Sequence, residues 1–201
     1  MHDTLTKRVA VDMDEVMADT LTRWLECYNR DFGTTITKAD LHGKRLYDLV
    51  GPRGATAARA YLDRPEFFRD LPLMEGSQQI VKLLSERYEV FVTSAAMDHP
   101  NSFAAKYSWL KEHFPFIPDK RIVFCGDKSI IRADFMIDDS EQNLAAFTGK
   151  GFIFSAPHNL LNDTFPRVNT WFDIADIFEL TRPERVRLQR KGSENPLGGA
   201  A

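Results

Sequence analysis

Arg8-Val9-Ala10-Val11-Asp12-Met13-Asp14 is a short apolar run that breaks abruptly into acids, and far downstream Asp134-Phe135-Met136-Ile137 closes in the same way on Asp138-Asp139. Both runs are brief, rich in β-branched or aromatic residues and polar at their C-terminal ends, which is how buried parallel strands end at an active-site edge. Two strands therefore deliver two acid pairs. Carboxylates so placed repel one another unless a cation lies between them, and their oxygens suit a hard divalent ion, Mg²⁺ before others, whose shell a substrate phosphate can complete.

Two further runs lie between the pairs. Glu89-Val90-Phe91-Val92-Thr93-Ser94 ends in hydroxyls, and Arg121-Ile122-Val123-Phe124-Cys125-Gly126-Asp127-Lys128 ends close to a lysine. Each end has a bland reading: Thr93 caps the next helix, Lys128 is a solvated charge, Asp139 or Ser140 caps the helix that follows. All of them would then fall by accident at C-terminal strand ends, where open α/β sheets hold ligands.

Helical stripes separate these strands. Leu21, Trp24, Leu25, Tyr28 and Phe32 predict a core-facing helix over Thr20 to Phe32. From Thr34 to Leu73 the periodicity is poor, with Gly43, Gly51-Pro52-Arg53-Gly54 and Pro65 as breakers and short helices expected at Thr37 to Arg45 and Ala55 to Leu62. Ile80, Val81, Leu83 and Leu84 mark a helix before the Thr93 strand. Phe103, Tyr107, Leu110 and Phe114 mark one after it, beginning at Asn101, and a helix from Glu141 to Phe147 precedes a fifth strand at Phe152 to Ser155. Alternation of this kind predicts an α/β fold with a doubly wound parallel sheet.

At 201 residues the chain suits one domain with a sizeable core, and a formal charge of -3 gives no reason to expect a nucleic-acid polymer or an anionic membrane as partner. Cys27 and Cys125 belong to no CxxC and read as small buried hydrophobes of a reducing compartment, a disulfide being the alternative. Met1-His2-Asp3-Thr4 carries no apolar signal segment and no stretch is long enough to span a bilayer, so the cytoplasm is expected. The tail, residues 182–201, lacks a core pattern and is expected to be disordered.

The ordered set of strand ends resembles the haloacid dehalogenase-like phosphatases. Asp12 to Asp19, Pro65-Glu66-Phe67-Phe68-Arg69-Asp70-Leu71, Tyr107-Ser108-Trp109-Leu110-Lys111-Glu112-His113 and Ile137-Asp138-Asp139 together resemble the 5'(3')-deoxyribonucleotidases, over about Arg8 to Asn159. The resemblance implies a Rossmann-like core at 1–19 and 74–181 with a helical cap at 20–73, a nucleotide substrate and often a homodimer. It departs at Glu15, where mammalian members carry glycine, and at Thr20, where they carry a phenylalanine near the base.

The chemistry follows from a dianionic phosphate monoester, which a carboxylate cannot approach until charge is neutralised. Mg²⁺ and Lys128 would supply that. Asp12, straight off its strand, is the nucleophile, forming an aspartyl-phosphate. Asp14 is the acid/base, with a turn-stabilising role as the competing reading. Thr93 and Ser94 would bind phosphoryl oxygens. The resemblance implies that Asp139, Asp12 and the carbonyl of Asp14 hold the metal with Asp138 in support; the residues themselves do not rank Asp139 over Asp138.

His158-Asn159 resembles a family pair, although a histidine after a strand is more often a loop hydrogen-bonder. His99, beside the Thr93 strand end, is placed either to touch substrate or, the more common case, to face solvent. Tyr47, Tyr61, Phe67 and Phe68 lie in the cap, mostly as its core, with one free to stack on a base. A receiver-like phospho-switch uses similar residues in another order, with no insert after the first strand. An idle nucleotide-binding relative and a phosphatase of another small monoester such as a sugar phosphate are the remaining alternatives.

Overall fold

The computed structural model describes residues 6–180, so the expectation for the tail lies outside the described residues. The chain begins with β1 (Arg8–Asp12), then α1 (Thr20–Phe32), α2 (Leu46–Leu49), α3 (Gly51–Leu62), α4 (Ser77–Ser85), β2 (Glu89–Ser94), α5 (Phe103–His113) and β3 (Ile122–Phe124). It ends with β4 (Phe135–Asp138), α6 (Glu141–Ala146), β5 (Lys150–Phe154), β6 (Arg167–Val168) and α7 (Trp171–Ile177). The sheet is parallel throughout in the order β3-β2-β1-β4-β5-β6.

Strand alternation explains why both faces are covered. Val9 and Val11 join the larger apolar cluster while Ala10 between them joins the smaller one. Ile137, Phe152 and Phe154 follow the first pair, Met136 and Ile153 the second. Central β1 is therefore buried from Val9 to Asp12, with only Asp12 polar. Its C-terminal end, beside Thr93 in register, sits where the sheet order changes direction.

The larger cluster also contains Leu41, Leu46, Ala58, Tyr61, Phe67 and Phe68 from the segment between β1 and α4, so that segment shares its core with the sheet. All three tryptophans are tied by their indole N–H to a backbone carbonyl: Trp24 to Ala58 (2.7 Å), Trp109 to Leu71 (2.8 Å) and Trp171 to Val16 (2.7 Å). These bonds satisfy the one polar atom of each buried indole. Those of Trp109 and Trp171 also pin the segment and the turn after β1 to α5 and α7.

Several expectations are corrected. Phe32 is 48% exposed, because α1 ends there at a left-handed Gly33 and the ring only stacks on Tyr28 at 4.5 Å. Gly51 and Pro52 begin α3 instead of breaking it, since proline suits a first helical turn. The helix expected over Thr37 to Arg45 is a single 3₁₀ turn at Lys38–Leu41, with α2 after it. On α5 the buried stripe is Ala105, Lys106, Trp109 and Leu110, and Tyr107 is 40% exposed. The sheet has a sixth strand, the two-residue β6, too short to leave a periodic signal.

Candidate active site

The turn after β1 is shaped by its own backbone. Glu15 adopts φ +58, which a non-glycine residue rarely accepts, and its N–H donates to the Ala18 carbonyl at 2.8 Å. Met17 and Ala18 both donate to Met13 at 2.9 Å. Asp19 then caps α1, accepting from Thr22 at 3.0 Å, while Glu15 Oε1 accepts from Leu21 N at 2.6 Å. The turn thus presents Asp12 and Asp14 to one cavity of about 550 Å³, which Glu15, Lys106, Lys128, Asp139 and His158 also line. Trp24, Leu41, Leu46, Leu62 and Phe68 form its apolar wall.

On one side stands Lys128, only 2% exposed. Its Nζ donates to Asp12 Oδ1 at 2.5 Å and Asp138 Oδ2 at 2.7 Å. Asp138 also accepts from Ser140 N (2.9 Å) and from Asn143 Nδ2 at both oxygens, so its hydrogen-bonding capacity is used within the protein. Asp139 is different. Its carbonyl accepts from Asn159 Nδ2 at 2.8 Å, but among the described residues the nitrogen its carboxylate pairs with is His158 Nε2, at 3.5 Å. The carboxylate oxygens of Asp12, Asp138 and Asp139 come within 4.8 Å of one another.

Three carboxylates around one ammonium leave a charge deficit. Burial, and then Asp138, Asp139 and Asp14, push the Asp12 carboxyl well above the usual range against the pull of Lys128. Burial, Asp138 and Glu15 do the same to Asp139, against Lys128 and Arg45. Burial opposes the charge of Lys128, but Asp12 and Asp138 outweigh it and hold the ammonium above its ordinary value. Two carboxyls starved of positive charge beside buried oxygens are the donor set that a hard divalent cation fits.

On the other side Asp14 sits in a complete set of donors. Oδ1 accepts from Thr20 Oγ1 at 3.0 Å; Oδ2 accepts from Ser94 Oγ at 3.3 Å and from Lys106 Nζ. Burial would raise its pKa, but Lys106 and then Thr20 outweigh burial and lower it. Thr20, expected at a base pocket, thus spends its hydroxyl on Asp14.

The structure brings Asp12, Asp14, Lys128 and Asp139 to this cavity, with Ser94 and Asp138 buried behind them and bonded to Asp14 and Lys128. Thr93 lies alongside at the end of β2, fully buried, its hydroxyl directed to the Val11 carbonyl at 3.4 Å. His99 lines the cavity and is partly exposed, tied down by Asp63: Nδ1 lies 2.8 Å from Asp63 Oδ1, and Asn101 Nδ2 donates to the Asp63 carbonyl at 3.2 Å. Burial, and then Arg45, push the His158 pKa down to about 4, so its ring is neutral near pH 7. Cys27 and Cys125 are both buried and free, as read from their spacing.

Sequence reasoning missed Lys106 and Asn143. Lys106 had a signal, a lysine three and four residues before Trp109 and Leu110 on the buried face of α5. A stripe drawn through Phe103 and Tyr107 is out of phase with it by one residue. Asn143 had none, being one polar residue in the first turn of a short helix.

Residues 6–183 match the family described as 5' nucleotidase, deoxy (pyrimidine), cytosolic type C protein. The 5'(3')-deoxyribonucleotidase of Bacillus subtilis strain 168 is 39% identical over 170 residues, covering 85% of this chain and 97% of that protein. A Staphylococcus epidermidis protein provisionally given the same name is 42% identical over 172 residues, 86% of this chain and 96% of its own. Among solved structures, the haloacid dehalogenase-like hydrolase SP0104 of Streptococcus pneumoniae superposes with a TM-score of 0.60 at 11% identity, over 86% of this chain and 98% of that one. The magnesium-bound HAD-family protein YfnB of Bacillus subtilis does so at 0.55 and 12%, over 87% and 99%. At such identities the structures speak to the fold, a haloacid dehalogenase-like α/β core. Among the described residues no helix is long and apolar enough to cross a membrane.

Proposed function

We propose, for a chain that belongs to the cytosolic type C deoxy (pyrimidine) 5'-nucleotidase family and is thereby a phosphoric monoester hydrolase, that it is a Mg²⁺-dependent phosphatase of nucleoside monophosphates, deoxypyrimidine ones foremost, working through an aspartyl-phosphate. The observation that carries this reading is the cluster of Asp12, Asp138 and Asp139 around the single ammonium of Lys128.

Asp12, Asp139 and the main-chain carbonyl of Asp14 would hold the ion. Asp138 would stand behind them, since both its oxygens are already occupied by Lys128, Ser140 and Asn143, whereas the Asp139 carboxylate is open. That difference supports the ranking of the two acids. The magnesium named for the solved structure of YfnB is in keeping with a divalent ion at such a cluster. When bound, the ion would neutralise the phosphate and the carboxylates so that they can approach one another.

The chain's own groups then carry the reaction. Lys128 would shift one of its contacts to a phosphoryl oxygen, a point-charge role that suits an ammonium. As an Asp12 oxygen bonds phosphorus and the ester P–O bond breaks, Asp14, which would take up a proton from solvent as the dianionic substrate enters, would give that proton to the leaving oxygen. In the second half the oxygen of a water bonds phosphorus, Asp14 takes the water's proton, and the bond to Asp12 breaks to release phosphate. Ser94 and Thr93, at the strand end next to Asp12, would receive phosphoryl oxygens once the Thr93 hydroxyl turns from the Val11 carbonyl. The segment 20–73 would act as the cap, its Trp24, Leu62 and Phe68 offering apolar and aromatic surface to the nucleoside and excluding water.

The test is phosphate release from dUMP, dTMP, dGMP, UMP and several sugar phosphates, each with saturating Mg²⁺ and with chelator. Turnover of a deoxynucleotide that Mg²⁺ restores after chelation is expected. A sugar phosphate exceeding every nucleotide about tenfold in kcat/KM would move the enzyme to another substrate class.

A further inference from the structure

Besides Lys128, the cavity holds a second buried ammonium, which no part of the reaction above uses. Lys106 projects from α5, outside the β1 turn and outside the segment 20–73, and is 3% exposed. Its Nζ donates to Asp14 Oδ2 and, at 3.0 Å, to Ser94 Oγ, and it lies 4.3 Å from the centroid of the Phe68 ring. Asp14 is its ion-pair partner among the described residues.

A lysine that merely filled the α5 stripe would lay its methylenes on the core and run its head out to water. Lys106 turns its head inward. Burying an ammonium is costly unless a carboxylate and further acceptors meet it, and here the carboxylate belongs to the residue assigned the proton transfers. The carboxylate of Asp14 is gripped from two directions: Thr20 of α1 holds one oxygen, Lys106 of α5 and Ser94 of β2 hold the other. A short side chain on a turn would otherwise rotate freely about χ1 and χ2. The Phe68 ring, from the segment that walls the cavity, covers the ammonium by a cation–π contact.

We propose that Lys106 is a positioning residue for this reaction, holding the Asp14 carboxylate in the orientation from which it serves the leaving oxygen and then the attacking water, with Phe68 covering the ammonium. The proposal rests on Asp14 being the acid/base.

Lys106→Met keeps the length and apolar stem and removes the charge. Because a nitrophenolate departs without a proton, a residue acting through Asp14 matters little for its release. Single-turnover phosphoryl transfer by Lys106→Met should therefore fall about a hundredfold with a nucleoside monophosphate and about fivefold or less with 4-nitrophenyl phosphate, with substrate affinity little changed. Lys106→Gln, which can still donate to Asp14 and Ser94, should lie between Lys106→Met and wild type. The double variant with Asp14→Asn should be no slower than Asp14→Asn alone by more than about threefold.

Equal losses on both esters, or multiplying losses in the double variant, would overturn the proposal and make Lys106 a phosphate binder. Failure of both Lys106 variants to unfold cooperatively would overturn it too, by assigning the ammonium to the fold. Wild-type turnover of phenyl and nitrophenyl phosphates without turnover of any nucleotide would instead remove the nucleotidase reading. The leaving-group comparison would then be made between those two esters, so the two failures stay apart.

Discussion

The two lysines of the active site keep different company. Lys128 faces Asp12 and Asp138 directly and Asp139 beyond them, one cation among three carboxylates. Among the described residues the one carboxylate paired with Lys106 is Asp14. The pKa directions divide the same way: Asp12 and Asp139 are driven up, Asp14 down. A site short of positive charge calls for an ion from outside, whereas a balanced pair is complete in itself. In the proposed reaction the two sides of the cavity would take different tasks, phosphoryl transfer on the Lys128 side and proton transfer on the Lys106 side.

The largest test of that division is Asp12→Asn. An amide of the same shape can neither attack phosphorus nor balance a metal, so kcat should fall by about ten-thousandfold or more with the fold retained. Residual activity within about tenfold of wild type in a folded preparation would place the nucleophile elsewhere.

Asp14→Asn probes the balanced side, and its effect should be smaller and depend on the leaving group. A loss of about a hundredfold is expected on nucleotides, with Mg²⁺ affinity by calorimetry within a few-fold of wild type, because the proposed metal contact of Asp14 is its carbonyl. Loss of metal binding in Asp14→Asn would break the division between the two sides.

The smallest effect belongs to Glu15, which lies between them. Burial, opposed by the Leu21 N–H, pushes its carboxyl from an ordinary 4.5 to about 8. Between those values the folded chain holds a proton that the unfolded chain has released, so stability is present at low pH and declines as pH rises through 8. Glu15→Gln keeps an acceptor for Leu21 and removes the titration. In metal-free buffer, the drop in Tm from pH 5.5 to 8.5 should be smaller in Glu15→Gln than in wild type by roughly 2–6 °C. Parallel pH profiles would show that Glu15 titrates normally.

Much of this was legible in the sequence because buried parallel strands announce themselves. β1, β2 and β4 are dense apolar runs with abrupt polar ends, and those ends name Asp12, Thr93, Ser94, Asp138 and Asp139. Helix α1 is legible from its stripe, yet Phe32 escapes because a stripe says nothing of where the core stops. What stayed hidden depends on tertiary approach. Lys106 enters the site from α5, a helix on which one residue of phase separates a buried ammonium from the exposed Tyr107. The contrast between Asp138 and Asp139 is likewise invisible in two identical adjacent letters, since it arises from Lys128, Ser140 and Asn143 closing on one of them. His99 looked like a loop residue until Asp63, at the end of α3, was placed beside it.

The claim that phosphorus passes through Asp12 is tested most directly by trapping it there. Asp14→Asn treated with 4-nitrophenyl phosphate and Mg²⁺ should form the aspartyl-phosphate, since that leaving group needs no proton, and hydrolyse it slowly, since the base is gone. Acid quenching followed by peptide mapping by mass spectrometry should then find a phosphoryl group on Asp12, absent without Mg²⁺. Rapid nitrophenolate release with no phosphopeptide at any quench time, or with the phosphoryl group on another residue, would contradict the account.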